Sequence, residues 1–281
     1  MNVFAEAEVK HSEVQGYEKI IANLRSLPNG DQIIQDNYLD EDWSAAFERF
    51  WQSAEWQNTV SILRPQSGEW VLDYGAGRCL SSAAFARCGC RVVALDINPS
   101  SSVGLGVLYQ AALQPYAIVG VLGDAEHMMF PPATFDIVYC REALHHAYDL
   151  AKLTKNLVSV LKPGGRFYAY GEHRHPWWSS DQKFRVRHPA VQFGVNEHSY
   201  RESVYQHCLK NAGLHRIRIF PIIPVHDPLW DNAWHHRLMK PLRSVPGIGS
   251  VIYDLYTRLR LYQMTGSQII ISGCRQAYGM R

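Results

Sequence analysis

The chain has 281 residues, 47% of them hydrophobic and 19% charged, which suits a large buried core and excludes a globally disordered chain. Its 28 Lys and Arg against 26 Asp and Glu leave a net charge of +2 with no basic block, so no nucleic-acid partner is expected. The start, MNVFAEAEVKHSEV, lacks the basic head and apolar run of a secretion signal, and no stretch nears the roughly 18 apolar residues of a membrane span. Six scattered cysteines (Cys79, Cys88, Cys90, Cys140, Cys208, Cys274) form no C-x-x-C pair, and they read as reduced thiols of a cytoplasmic protein.

Residues 1–66 read as a helical N-terminal cap. Over 42–63 the apolar residues Trp43, Phe47, Phe50, Trp51, Trp56, Val60 and Leu63 recur mostly at three- and four-residue intervals, as one buried helix face requires. From Trp70 the pattern changes to short apolar runs separated by helical segments. Strands are expected over 70–73, 91–95, 117–122, 135–139, 166–170, 214–220 and 267–272, and helices over 80–87, 103–113, 150–161 and 199–212. Such alternation predicts an α/β domain over 67–281, built on a mostly parallel sheet covered on both faces. Two long polar and aromatic segments, at about 172–198 and 221–265, read as insertions on the side where an acceptor would bind.

Ligands of such sheets bind at the carboxyl ends of the strands. Four features fall there in succession. Asp73-x-Gly75-x-Gly77 follows the first strand, where glycines permit close backbone approach and the next helix aims its amides at a ligand. Asp96 ends the second strand, placed to accept both hydroxyl protons of a ribose. Gly123-Asp124-Ala125 follows the third, and Asp124 could accept from an adenine amino group. Cys140-Arg141-Glu142-Ala143-Leu144-His145-His146 follows the fourth.

The segments VLDYGAG, VVALDIN, GDAEHM, FDIVYCREALHH and LKPGGRF, in this order, resemble the successive motifs of class I S-adenosylmethionine-dependent methyltransferases, in particular the type 11 group. The resemblance runs from about Trp70 to Tyr170 and implies a Rossmann-like, doubly wound, seven-stranded sheet with its last strand antiparallel. It also implies S-adenosyl-L-methionine as cofactor, with Asp73, Gly75 and Gly77 beside the methionine moiety, Asp96 on the ribose and Asp124 on the adenine. Ile97, Ala125 and Cys140 complete the expected lining. The chain departs from the family at Cys79, where a third glycine is common. A nicotinamide-binding fold is the alternative, but it wants a glycine where this chain has Leu80.

Methyl transfer needs an aligned nucleophile and, for a hydroxyl acceptor, a base. His145 and His146 fit a catalytic or acceptor-contacting role, though the pair could instead shape the pocket floor. Glu172 and His173, with Glu197 and His198, form a second candidate set that could equally brace the inserted segment; His175 lies among them. A dedicated metal site is not expected, because no local ligand spacing appears. Trp177, Trp178, Trp230 and Trp234 could stack on an acceptor or form a local core, whereas Trp51 and Trp56 suit core packing and Tyr38 could close over the cofactor. The segments EHRHPWWSSDQKF and GVNEHSYRESVY resemble those of methyltransferases associated with polysaccharide or natural-product assembly. The expected reaction is therefore methyl transfer to a hydroxyl, or else an amine, of a small molecule or glycan. A cofactor-binding enzyme with different chemistry and a low-activity partner subunit are the competing readings.

Overall fold

A computed structural model describes residues 3–222 and 267–277. Four helices come first: α1 (Val3–Arg25), α2 (Gly30–Asp36), α3 (Trp43–Gln52) and α4 (Ala54–Leu63). The continuous apolar face expected over 42–63 is broken into two helices at Ser53, which sits in extended backbone (φ −67°, ψ 153°). Its hydroxyl accepts from the Trp56 N–H and starts α4 as an N-cap. Asp42 caps α3 through the Ser44 and Ala45 amides.

The strands are β1 (Trp70–Tyr74), β2 (Arg91–Asp96), β3 (Ile118–Leu122), β4 (Phe135–Arg141), β5 (Leu161–Arg174), β6 (Leu214–Pro221) and β7 (Ser267–Arg275). They form one seven-stranded sheet in the order β3-β2-β1-β4-β5-β7-β6. β7 runs antiparallel to both neighbours, and the pairs from β3 through β5 are parallel. This is the Rossmann-like sheet that the alternating pattern and the resemblance implied.

Period-two alternation divides the core. Val71, Ile137, Tyr139 and Tyr168 face the helices α3, α4 and α5 (Leu80–Arg87), where Trp56, Phe85 and Tyr139 stand in edge contact at 5.0 and 5.2 Å. Leu72, Val138, Cys140 and Phe167 face α6 (Leu150–Val160) and α9 (Glu202–Asn211). Each layer buries apolar side chains completely, at about 1.5–3 kcal/mol for a large one.

Two expected elements differ. The helix foreseen over 103–113 is a pair of 3₁₀ turns, Leu105–Tyr109 and Ala111–Leu113. The amides of Val107, Gln110 and Leu113 donate to the carbonyls three residues back, Gly104, Val107 and Gln110, so the segment closes as separate 3₁₀ turns. The fifth strand extends well beyond 166–170 at both ends. Its tail, Glu172 to Arg174, pairs with β7, which places Glu172 and His173 on the sheet and starts the excursion only after Arg174. That excursion carries α7 (Asp181–Arg187) and α8 (Pro189–Gln192), then returns through a bridge between Arg174 and Tyr200. The second insertion lies almost wholly outside the described residues. Among the described residues no helix is long and apolar enough to cross a membrane.

Candidate active site

The strand order reverses between β1 and β4, and the carboxyl ends of β1 to β4 gather the predicted cofactor residues at that switch point. Asp73 is fully buried, and its Oδ2 accepts from Ser81 Oγ (2.7 Å) and Ser82 Oγ (2.5 Å) in the first turn of α5. Its Oδ1 is buried with no partner among the described residues. Burial outweighs the two hydroxyls and raises this carboxyl to about 6. At Gly75 the backbone turns with φ +68°, and an added Cβ would stand 2.6 Å from the Ala143 Cβ. Only glycine lets the loop after β1 lie against the loop after β4.

The Gly77 N–H then donates to Asp96 Oδ2 at 2.7 Å, while the Asn98 N–H donates to Oδ1 at 2.8 Å. The second-strand carboxylate is thereby fixed over the glycine loop, each oxygen keeping lone pairs to spare. Burial raises Asp96, also to about 6. Ile97 beside it is half-buried. Asp124 accepts from the Glu126 N–H at 2.8 Å, and Ala125 is fully buried. Cys140 lies fully buried, its side chain in the core layer beneath α6. Cys79, at the departure from the family pattern, keeps the left-handed backbone a glycine would favour (φ 58°) and is fully buried.

The turn after β4 is organised by one carboxylate. Glu172, fully buried on β5, accepts from the amides of Ala143 (3.2 Å), Leu144 (3.1 Å) and His145 (3.0 Å). The same oxygen that binds the His145 amide meets His145 Nδ1 at 2.8 Å. Burial still pushes Glu172 up to about 7. Its acceptor sites are spent on shaping the turn that presents both histidines.

His146 Nδ1 stands 2.8 Å from the Asn196 carbonyl, which can only accept, so that nitrogen carries the proton. The Tyr17 hydroxyl lies 3.0 Å from the ring nitrogens and donates to Nε2. Burial lowers His145 and His146 to about 3, and His188 to about 4, and it also lowers His173, so these rings are neutral near pH 7.

Tyr17 was not among the sequence candidates, nor was Glu13 one helical turn before it. Glu13 is buried; its carboxylate accepts from the Asn196 N–H and the Tyr148 hydroxyl, each at 3.2 Å. Between them Gly16 approaches so closely that an added Cβ would meet the Phe193 carbonyl at 2.5 Å. Glu13, Gly16 and Tyr17 share one face of α1 at three- and four-residue spacing. That spacing was the available signal, but an acid, a glycine and a tyrosine make no apolar stripe.

Glu197 and His173 complete the neighbourhood. Glu197 Oε2 is 3.6 Å from His145 Nε2 and 3.9 Å from His173 Nε2. His198 instead pairs with Asp181 at 2.8 Å, and the His175 ring meets the Ser199 carbonyl, so both brace the inserted segment. Trp177 and Trp178 are 70% and 59% exposed, away from any local core. Trp56 is core, and Trp51 is half-buried under Arg87, whose guanidinium lies 4.5 Å above its ring. Tyr38 packs on Phe50 under the Arg141 guanidinium, and its carbonyl accepts from Arg78 of the glycine loop. Trp230 and Trp234 lie outside the described residues.

Residues 72–169 match the family described as a methyltransferase domain. The chain is 35% identical to a demethylmenaquinone methyltransferase of Thermobifida fusca over 47% of its own length and 55% of the relative's. It is 31% identical to a sterol 24-C-methyltransferase of Eremothecium gossypii, over 57% of this chain and 46% of that one. It is also 29% identical to a ubiquinone biosynthesis O-methyltransferase of Xanthomonas euvesicatoria, over 62% and 79%. The chain thus spans about half the length of the first two of these curated relatives. Among solved structures, a geranyl diphosphate methyltransferase in complex with S-adenosylmethionine superposes with a TM-score of 0.58 at 19% identity, covering 84% of this chain and 91% of that one. An S-adenosylmethionine-dependent methyltransferase of Mesorhizobium loti gives 0.55 at 19% identity, covering 80% and 99%. Residues 72–169 thus match a methyltransferase domain, on the fold shared with S-adenosylmethionine-dependent methyltransferases.

Proposed function

We propose that this chain transfers a methyl group from S-adenosyl-L-methionine to a hydroxyl, or failing that an amine, of a small-molecule or glycan acceptor. The observation that carries the reading is the convergence of Asp73, the Gly75–Gly77 loop, Asp96 and Asp124 at the ends of three adjacent parallel strands. Asp96, held by two backbone amides, would bind the ribose hydroxyls, and Asp124 the adenine amino group. The unpartnered Oδ1 of buried Asp73 supports a contact with the polar methionine end. The cofactor, when bound, supplies an electrophilic methyl on a sulfonium, so the chain's task is alignment, exclusion of water and proton removal.

For proton removal we assign His146. Its Asn196 contact holds the proton on Nδ1 and leaves Nε2 as the acceptor, where the Tyr17 hydroxyl now donates. An acceptor hydroxyl taking the place of the tyrosine proton would meet a neutral base already oriented. The other early candidates take lesser parts: Glu172 holds the turn, and His145 is pinned by Glu172. The names of relatives such as the ubiquinone biosynthesis O-methyltransferase favour a small hydroxylated acceptor over a glycan. A reducing, cytoplasmic setting suits six free thiols, three of them buried.

The test is incubation of the protein with isotopically labelled methyl donor and panels of hydroxylated and aminated acceptors, read by mass spectrometry. Labelled product that His146→Ala makes about 10²–10⁴ times more slowly at unchanged cofactor affinity supports the reading. Equal rates in both proteins would remove His146 from the chemistry.

A further inference from the structure

Methyl transfer as derived leaves His145, His173 and Glu197 without a task, although His145 and Glu197 lie buried, His173 is 14% exposed, and the three come from separate segments of chain. His145 belongs to the turn after β4, His173 to the tail of β5, and Glu197 to the strand of chain returning from α8. One ligating atom from each falls within 4.8 Å of the others. The imidazoles of His145 and His173 are centred 4.3 Å apart. We propose that His145, His173 and Glu197 form a binding site for a first-row divalent transition ion of the Zn²⁺ class.

Three observations carry this. First, Glu197 is only 5% exposed, and its Oε2, the atom facing both histidines, is buried with no hydrogen-bond partner among the described residues. A carboxylate oxygen left bare in the interior is costly unless it takes up a proton or a cation sits against it. Second, the separations suit an ion. Ligands 2.0–2.1 Å from a tetrahedral centre stand about 3.4 Å from one another, and here Glu197 Oε2 is 3.6 and 3.9 Å from the two Nε2 atoms.

Third, the outer partner is in place. His145 Nδ1 meets Glu172 Oε2 at 2.8 Å, which puts the proton on Nδ1, turns the Nε2 lone pair inward and raises the ring's strength as a ligand. Glu172 is itself fixed by three backbone amides, so the carboxylate–histidine arm is rigid. The donor set, two imidazole nitrogens and one carboxylate oxygen, suits Zn²⁺, Fe²⁺ or Co²⁺ better than Mg²⁺ or Ca²⁺, which take oxygen. Three protein ligands leave a coordination position open, as in sites where an ion meets water or substrate. The proposal revises the sequence expectation of no metal. Local spacing could not show a site whose ligands meet only through β5 pairing and the return of the inserted segment. It does not depend on the methyl-transfer reading.

The experiment uses the full chain, stripped with chelator, then incubated with Zn²⁺ or Co²⁺ and desalted. Metal content by mass spectrometry should approach one ion per chain, and the Co²⁺ form should show the visible absorption of a four- or five-coordinate site. Glu197→Gln and His173→Gln should each lower affinity by more than tenfold, and Glu172→Gln by about 10- to 100-fold through the outer arm. His207→Ala, at an exposed helix position on α9, should leave uptake unchanged. Mg²⁺ should not compete at equal concentration. Circular dichroism distinguishes a lost site from a lost fold, and either of the two ligand variants that folds suffices. Failure of the wild-type chain to retain an ion overturns the proposal, as does uptake that survives in a folded Glu197→Gln or His173→Gln chain. In that event the cluster is a proton-sharing histidine–carboxylate network.

Discussion

At the scale of single residues, two carboxylates with opposite environments do different work. Asp96 sits at the cleft with two backbone donors and spare acceptor capacity, whereas Glu172 is sealed in and spends its oxygens on the His145 turn. Glu172→Ala strands three amides and an imidazole, so it should destabilise the fold by about 3 kcal/mol, read by denaturant unfolding; a loss under 1 kcal/mol would contradict the organising role. Asp96 makes a pH prediction. Burial holds its carboxyl near 6, and under the proposed reading only the ionised form would accept from both ribose hydroxyls. Affinity for S-adenosylhomocysteine should be flat above pH 7 and fall as pH drops through 6. In Asp96→Asn that fall should shrink to the part due to Asp73, which also titrates near 6. A wild-type profile level from pH 5 to 8 would sink the assignment.

Among the elements, α1 and the segment after β5 act together. Glu13 accepts from Asn196 and Tyr148, Tyr17 donates to His146, and Asn196 contacts His146 through both its carbonyl and its side chain. α1 is thereby tied across the end of the sheet where the acceptor would enter. Its closest approach is Gly16, where even one methyl would strike the Phe193 carbonyl. Gly16→Val should cost about 1–3 kcal/mol and speed amide exchange in α1, leaving the protected sheet amides slow. Unchanged exchange in α1 would mean the helix does not depend on that contact.

The elements also show what a sequence can and cannot convey. Strands β1 to β4 were legible because each is a short apolar run ending at a turn, and Asp73, Asp96 and Asp124 could be placed from those ends alone. Ser53 was harder: a single hydroxyl turned one periodic stretch into two helices without disturbing its apolar spacing. The tail of β5, Glu172-His173-Arg174, is not legible in the sequence because it is polar and becomes a strand through pairing with β7, nearly a hundred residues on. Tyr17 and Glu197 escaped a firm role for the same reason. Their partners are distant in sequence, and nothing local marks a tyrosine or glutamate that will be buried against histidine.

For the whole molecule, the sheet order and the match of residues 72–169 to a methyltransferase domain agree on where a nucleoside-bearing cofactor would lie. The helical layer of α3 and α4 supports that place from behind: Trp43 Nε1 donates to the Arg78 carbonyl, and Glu55 holds Arg141 at 2.6 Å. A ligand bound only by the folded state adds about 2.7 kcal/mol at a hundredfold excess over its dissociation constant. S-adenosylmethionine should therefore raise the melting temperature by several degrees. The central claim, that the loop from Asp73 to Gly77 and the Asp96 carboxylate build an S-adenosylmethionine pocket, is tested most directly by calorimetric titration with S-adenosylhomocysteine. Wild-type protein should bind at a single saturable site, and Asp96→Ala should bind about ten- to a hundredfold more weakly, the loss of charge-assisted hydrogen bonds worth about 1.5–3 kcal/mol. No saturable heat at millimolar ligand, or equal affinity in the two proteins, would contradict the account.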